Sequence, residues 1–250
     1  MRKYGLIGFP LGHSFSKSYF AEKFRNEKII DCSYDNFPIS DLGMLPKLLT
    51  DEPDLCGLNV TIPYKSEIFR YIDVIDPEAS EIGAVNVLKI RRSGSEIQLY
   101  GFNSDITGIY DSLSDCINKG IKNAIVLGTG GSSLAVRHVL KKSGIGCTLV
   151  SRTRKLGVIS YTDLDRTLLG NSALIINTTP LGMYPDIDSR PELNYNLLNE
   201  KHTLFDLVYN PEITAFLRSG LERGCSVITG LKMLHSQAEK AWQIWNDEKF

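Results

Sequence analysis

No stretch of the chain approaches the roughly 18 consecutive apolar residues that a bilayer-spanning helix needs, so no membrane span is expected. Neither charge is in excess: 28 Lys and Arg face 29 Asp and Glu, a formal net charge of -1 at pH 7. A balanced surface has no general attraction for nucleic acid or anionic lipid, and an anionic ligand must be held by a local cluster of cations. Cysteine is sparse: Cys32, Cys56, Cys116, Cys147 and Cys225 form no C-x-x-C pair and stand at no ligand spacing from a histidine. That argues against a disulfide framework and a structural zinc, and no metal is expected. The four histidines are equally dispersed. The opening Met1-Arg2-Lys3-Tyr4-Gly5-Leu6-Ile7-Gly8 turns to glycine too early for the apolar core of a signal peptide, and the cytoplasm is the expected location.

The chain does contain alternating strand-like and helix-like periods over 250 residues that are 42% hydrophobic. That length and composition suit one large domain or two small ones. Strands are expected over 4–7, 32–37 and 55–62, with helices over 18–26 and 41–49 between them. Two further strands, 85–90 and 97–100, flank Arg92-Ser93-Gly94-Ser95 and read as a hairpin, which makes the first sheet mixed,. After a helix over 106–117, strands are expected at 124–127, 147–150, 174–177, 202–206 and 226–228. Helices are expected over 134–142 and 214–223, and a long apolar-faced helix over 231–245. Such alternation predicts α/β layers with parallel strands.

One turn carries chemistry. Ile125-Val126-Leu127 is an apolar run suited to a central strand, and Gly128-Thr129-Gly130-Gly131-Ser132-Ser133 follows before a helix. Gly128 allows the tight turn, Gly130 lets a pyrophosphate approach the backbone, and the amides at Gly131 and Ser132 open a helix N-terminus that binds phosphate oxygens. Glycine turns end many strands, but the strand-before, helix-after context is what a dinucleotide site requires. At the end of the next strand an NAD-binding domain usually carries Asp or Glu. This chain has Ser151-Arg152-Thr153-Arg154-Lys155 instead. No carboxylate repels a 2′-phosphate there, and Arg grips phosphate bidentately, so NADP is the expected cofactor. The plainer reading of that run is a solvated basic loop.

Two polar clusters occupy the first half. Asn59-Val60-Thr61-Ile62-Pro63-Tyr64-Lys65 sets polar groups at a strand end, and Gly12-His13-Ser14-Phe15-Ser16 sets two hydroxyls after the first strand. With Asn86, Asn103 and Asp105 they form a mostly uncharged hydrogen-bonding set, suited to a small polyhydroxylated ligand,.

At these residues the chain resembles the shikimate dehydrogenase family. The matching pieces include the Ser14/Ser16 and Asn59-to-Lys65 motifs, Gly83-Ala84-Val85-Asn86, Asn103-Ser104-Asp105, the glycine turn, and Ser151-Arg152-Thr153. They continue with Asn177-Thr178-Thr179-Pro180-Leu181-Gly182-Met183, Asp206-Leu207-Val208-Tyr209-Asn210-Pro211, and Gly230-Leu231-Lys232-Met233-Leu234 with Gln237-Ala238. The resemblance implies an NADP-dependent enzyme of aromatic amino-acid precursor biosynthesis that interconverts 3-dehydroshikimate and shikimate. It implies Lys65 and Asp105 as the catalytic pair, and Ser14, Ser16, Asn59, Thr61, Asn86, Tyr209 and Gln237 as substrate ligands, the two serines at the carboxylate. It also implies Thr178, Met183 and Met233 around the nicotinamide, and Gly230, Ser151, Arg152, Thr153 and Arg154 as cofactor positions.

The expected architecture is an N-terminal mixed-sheet α/β substrate domain over 1–105 and a Rossmann-type dinucleotide-binding domain over 106–230. The C-terminal helix, 231–250, is expected to pack back on the first domain. A monomer or homodimer is expected, with a small-molecule substrate and no nucleic-acid partner. Each site residue has a plainer reading: a surface lysine, an N-cap at Asp105, turn caps at Asn59 and Asn86, a helix start at Ser14 and Ser16. Alternative functions are a quinate/shikimate dehydrogenase using NAD and a non-catalytic NADP- or shikimate-binding regulator. The chain departs from the family at Lys17, where proline usually follows the second serine, at Val87, Ser151 and Lys232. Only about ten residues separate Arg154 from Leu164, so a family helix there is expected to be missing or short.

Overall fold

The computed structural model describes residues 1–11, 15–94 and 96–249. The chain divides into two compact units, Met1–Ser104 with Ala238–Phe250, and Asp105–Gln237.

The first unit contains strands β1 (Arg2–Gly8), β2 (Cys32–Pro38), β3 (Leu55–Val60), β4 (Val74–Ile75), β5 (Val87–Ser93) and β6 (Glu96–Phe102), with helices α1 (Phe15–Asn26), α2 (Leu45–Asp51) and α3 (Pro77–Ile82). The sheet runs β2-β1-β3-β5-β6-β4. β1 pairs parallel with β2 and β3, whereas β5 pairs antiparallel with β3 and β6, so the sheet is mixed. The hairpin is longer than its apolar core suggests: β5 and β6 pair out to Ser93 opposite Glu96. Its strands continue through polar residues because cross-strand hydrogen bonds need no apolar side chain. Helix α2 starts at Leu45, after a 3-10 turn over Leu42–Met44 whose N-cap Asp41 accepts from the Gly43 amide. The two-residue β4 and the six-residue α3 escape periodicity because neither spans two full repeats,.

One face of this sheet buries an aliphatic core that includes Ile7, Leu58, Ile68 and Leu88. The other buries an aromatic one, Tyr4, Phe20, Phe24, Tyr34 and Trp245. Trp245 stacks on Tyr4 at 4.7 Å and donates its indole N–H to the Leu88 carbonyl at 3.0 Å. Gly57 is needed beneath it: a Cβ there would lie 2.3 Å from the indole nitrogen.

The second unit opens with α4 (Asp105–Asn118) and continues through β7 (Asn123–Leu127), α5 (Gly131–Lys142), β8 (Gly146–Ser151), β9 (Val158–Ser160), α6 (Arg166–Gly170), β10 (Leu174–Asn177), β11 (Thr203–Asp206), α7 (Ala215–Leu221) and β12 (Ser226–Ile228). The sheet is parallel throughout, in the order β12-β11-β10-β7-β8-β9. Strand order runs outward from β7 on one side and from β10 on the other, the doubly wound arrangement of dinucleotide-binding sheets. Ile125, Val126, Leu174 and Ile176 at its centre are fully buried, as strands covered on both faces must be,.

Helix α5 begins at Gly131, earlier than the apolar pattern suggests, because its first turn is built from glycine and serine. Parallel strands ordinarily need a helical crossover of a dozen or more residues. Between β8 and β9 only residues 152–157 intervene, and a turn at Leu156-Gly157 closes them with paired hydrogen bonds between Lys155 and Val158. Gly157 takes φ 73°, where a side chain would be strained,. Helix α8 (Gly230–Asn246) starts in the second unit and ends in the first. No helix among the described residues is long and apolar enough to cross a membrane.

Candidate active site

In the first unit the strand order reverses between β1 and β3, and their carboxyl ends meet there. The Thr61 amide donates to the Ile7 carbonyl at 3.0 Å, and the Phe9 amide to the Ile62 carbonyl at 3.2 Å. Gly8 permits that approach, since a Cβ would lie 2.5 Å from the Thr61 methyl. Crevices of this kind are where α/β sheets hold ligands. Five of the expected residues are described around this edge: Ser16 in α1, Asn59 and Thr61 at the end of β3, Lys65 just beyond, and Asn86 before β5. Ser14, with Gly12 and His13, lies outside the described residues.

The local structure explains their placement. Lys65 is half-buried on a turn fixed at both sides: the Tyr64 hydroxyl donates to the Ile39 carbonyl at 2.7 Å, and the Lys65 carbonyl accepts from the Val85 amide at 2.8 Å. Asn86 is buried. Its carbonyl accepts from the Val60 amide at 2.9 Å and from Asn59 Nδ2 at 3.4 Å, and its Oδ1 accepts from the Ser104 amide at 2.7 Å. Asn59 Oδ1 accepts from the Tyr34 hydroxyl at 2.8 Å. Tyr34 has no role in the sequence reading, where it passes for a core aromatic of β2. The available signal was its hydroxyl, since a tyrosine buried in a strand must find a polar partner.

In the second unit the carboxyl ends of β7 and β10 meet at the corresponding reversal. Thr178 ties them together, its amide and its hydroxyl both donating to the Leu127 carbonyl, at 2.9 and 2.7 Å. Gly128 takes φ 106°, and a Cβ there would lie 2.6 Å from Thr178 Oγ1. At Gly130, by contrast, an added Cβ would meet nothing within 4 Å. That open space faces a helix start without a side-chain cap. The first amides of any helix lack intrahelical partners, so residues 130–132 fit a pyrophosphate.

Arg152, Thr153 and Arg154 are exposed past the end of β8. The Ser151 hydroxyl is spent on its own loop, accepting from the Thr153 amide at 3.1 Å and donating to the Thr153 carbonyl at 2.6 Å. Arg154 pairs with Asp163 at 3.3 Å. The Asp163 carboxyl is held below its usual range, chiefly by hydrogen bonds from Ser160. Met183 is exposed, whereas Met233 is buried in the core and packs against Gly108. Gly230 allows close backbone approach, since a Cβ would lie 2.6 Å from the Leu207 carbonyl oxygen. Asp105 is buried as the first residue of α4, and Tyr209 and Gln237 are half-buried.

Residues 6–88 match the family description "Shikimate dehydrogenase substrate binding domain". The chain is 35% identical to a shikimate dehydrogenase (NADP(+)) of Methanococcus aeolicus, over 98% of this chain and 92% of that one. It is 36% identical to the like-named protein of Clostridium beijerinckii, over 99% and 93%. The chain belongs to the shikimate dehydrogenase family. Among solved structures, the Thermus thermophilus shikimate 5-dehydrogenase, in complex with NADP(H) and shikimate, is similar at TM-score 0.83 and 31% identity, covering 98% of this chain and 94% of that one.

Set within this family, the departures have local reasons. Lys17 pairs with Asp35 at 2.9 Å on the surface. Val87 is fully buried in the aromatic core, where a threonine hydroxyl would need a partner,. Among the described residues, 152–157 between β8 and β9 form the short turn described above and no helix.

Two residues within matched motifs, Asp206 and Asn177, organise the loops at the ends of β10 and β11. Asp206 is fully buried. Its Oδ1 accepts from Asn177 Nδ2 at 2.9 Å and from the Val208 amide at 3.0 Å, and its Oδ2 accepts from the Thr214 hydroxyl at 2.6 Å. Asn177 Oδ1 in turn accepts from the Thr179 amide and hydroxyl, at 3.0 and 2.6 Å. The loops after β10 and β11 are thereby joined.

Burial pushes the Asp206 carboxyl up to about 6, against the lowering by its three donors. Between the unfolded value near 4 and 6, the folded chain holds a proton that the unfolded chain has released. Through this group stability therefore rises as pH falls through that window, and is lower above it. A shift of about two units corresponds to about 3 kcal/mol. Urea unfolding at pH 7 and pH 5 should show the parent gaining on acidification relative to Asp206→Asn. Identical pH slopes for the two proteins would remove this account.

Proposed function

We propose that this chain catalyses the NADP-dependent interconversion of shikimate and 3-dehydroshikimate. The observation that carries the reading is the composition of the crevice between β1 and β3. It gathers uncharged hydrogen-bonding groups, Ser16, Asn59, Thr61 and Asn86, with a single ammonium, Lys65, fixed on an anchored turn. That set suits a small polyhydroxylated acid rather than a flat apolar ligand.

Ser14 and Ser16 bind the carboxylate, Asn59, Thr61 and Asn86 take ring hydroxyls, and Tyr209 and Gln237 complete the substrate contacts. NADP, when bound, accepts or supplies the hydride at the carbon bearing the reacting oxygen. Lys65 handles the proton at that oxygen, donating it as the ketone is reduced and accepting it in reverse. Asp105 accepts hydrogen bonds from the substrate hydroxyls. Residues Gly128, Gly130, Gly131 and Ser132 hold the pyrophosphate. Thr178, Met183, Gly230 and Met233 shape the nicotinamide end, and Ser151, Arg152, Thr153 and Arg154 the adenosine end.

The activity is tested by following reduced nicotinamide with shikimate and with quinate, each with NADP and with NAD. Turnover should be far highest with shikimate and NADP, and activity confined to quinate with NAD would overturn the reading. Cofactor choice is tested at Arg152. Arg154 is engaged with Asp163, so Arg152 is the stronger candidate for the 2′-phosphate. Arg152→Ala should raise the Michaelis constant for NADP roughly tenfold to a hundredfold, the size of a charge-assisted contact, and leave that for NAD nearly unchanged. Equal rises for both cofactors would argue against the assignment.

A further inference from the structure

The run Ser151-Arg152-Thr153-Arg154-Lys155 sets no acid at the end of β8, where a dinucleotide-binding sheet chooses between a ribose hydroxyl and a 2′-phosphate. The fold brings one there from the neighbouring strand. β9 lies beside β8 in parallel register, with Ser160 opposite Ser151. Asp163 closes the 3-10 turn that follows β9, and its carboxylate folds back onto Ser160 in a capping box. Its Oδ2 accepts from the Ser160 amide and from the Ser160 hydroxyl, both at 2.8 Å. The carboxylate is thus held one strand over from the position where an NAD-binding domain carries its own.

The short connection between the strands lets a cation reach it. Residues 152–157 turn directly, closed by the Lys155 and Val158 hydrogen bonds at 3.1 and 3.0 Å. Arg154, one residue before that closure, meets Asp163 Oδ1 at 3.3 Å. The two carboxylate oxygens are therefore divided, Oδ2 to Ser160 and Oδ1 to Arg154. Asp163 is the more enclosed partner, its side chain 28% exposed against 71% for Arg154. Hydrogen bonds from Ser160 hold the carboxyl below its usual range, so it is ionised at neutral pH. Left bare, that charge would repel a 2′-phosphate and leave a ribose hydroxyl unopposed.

We propose that Asp163 is a determinant of cofactor choice that opposes the 2′-phosphate, and that Arg154 secures NADP binding by covering Asp163 rather than by gripping the phosphate. The proposal rests on the reading that the end of β8 receives the adenosine end of NADP, with Arg152 at the phosphate. No covalent bond changes, and the ion pair stays closed whichever cofactor is bound.

The test is a set of dissociation constants for NADP and NAD, measured by calorimetry on the parent, Arg154→Ala, Asp163→Asn and the double variant. Asparagine keeps an acceptor oxygen for Ser160 and removes the charge. Charges at a surface are screened over about 8 Å at physiological ionic strength, so effects of a few-fold are expected. Arg154→Ala should weaken NADP about threefold to tenfold and leave NAD within about twofold of the parent. Asp163→Asn should bind NADP at least as tightly as the parent. The double variant should bind NADP within about twofold of Asp163→Asn, because no acid is left to cover. A direct phosphate contact predicts instead that the loss on Arg154→Ala persists when Asp163 is already neutral. A loss beyond about twofold in that background overturns the proposal, and so does an Arg154→Ala protein that binds NADP like the parent.

Should Asp163→Asn not fold, Arg154→Lys gives the same information. One ammonium can cover a carboxylate, but it cannot reproduce a bidentate guanidinium grip on phosphate. NADP affinity within about twofold of the parent is expected, and a larger loss overturns the covering role. Failure of the underlying cofactor reading has a different signature: Arg152→Ala would then change NADP and NAD alike.

Discussion

Turnover of a Lys65→Met protein should fall by about a hundredfold to ten-thousandfold, the range that a positioned general acid or base contributes. Methionine keeps the length and the apolar stem of lysine and removes only the proton carrier. The turn itself should survive, because the Tyr64 hydroxyl on the Ile39 carbonyl and the Val85 amide on the Lys65 carbonyl hold it without the ammonium. If Lys65 acts on the developing oxyanion, shikimate affinity should change much less than turnover. Asp105→Asn should show the opposite emphasis, with binding disturbed more than in Lys65→Met. Steady-state turnover and shikimate dissociation constants, with circular dichroism on each variant, separate the two roles. A folded Lys65→Met protein within a few-fold of the parent would leave the chemistry without its acid.

The largest stability effect is expected at the C-terminal end of α8. Trp245→Ala should destabilise the first unit by about 3–5 kcal/mol, as for other buried large aromatic truncations. Trp245 is enclosed by Tyr4 and Phe20, with ring centroids at 4.7 and 5.5 Å, and its indole N–H is spent on Leu88. Gly57 leaves the space that the indole fills. Alanine would leave a cavity whose aromatic walls cannot collapse into it without leaving their own stacking partners. Trp245→Phe should recover part of the loss. Guanidinium unfolding of both variants measures it, and a loss below about 1 kcal/mol in Trp245→Ala would show that the helix end is not a structural wedge.

What the sequence revealed and what it concealed follow from the same physics. The run at 124–127 was legible as a central strand because parallel strands are covered on both faces and read as near-continuous apolar runs. The glycine turn was legible because each glycine answers a separate need: a positive φ at Gly128 and open space at Gly130. The short pieces β4, α3, β9 and α6 were concealed, because a pattern needs more than one repeat to declare itself. The motif residues of the crevice stood out by type, but the side chains that aim them did not. Tyr34 looks like any strand aromatic until Asn59 is placed opposite it. Asp206 and Asn177 lie 29 residues apart, and only the parallel pairing of β10 with β11 brings them together.

The outermost strands of the two sheets have a bearing on how the protein behaves in a crowded solution. An unpaired strand edge is a template on which a foreign strand can grow. β4 offers two residues, and β9 and β12 offer three each. The fourth edge, β2, is long enough to recruit a partner, but it carries the charged Asp35 and closes at Pro38, which has no amide to give,. Brevity on three borders, and a charge and a proline on the fourth, guard the protein against sheet-to-sheet aggregation.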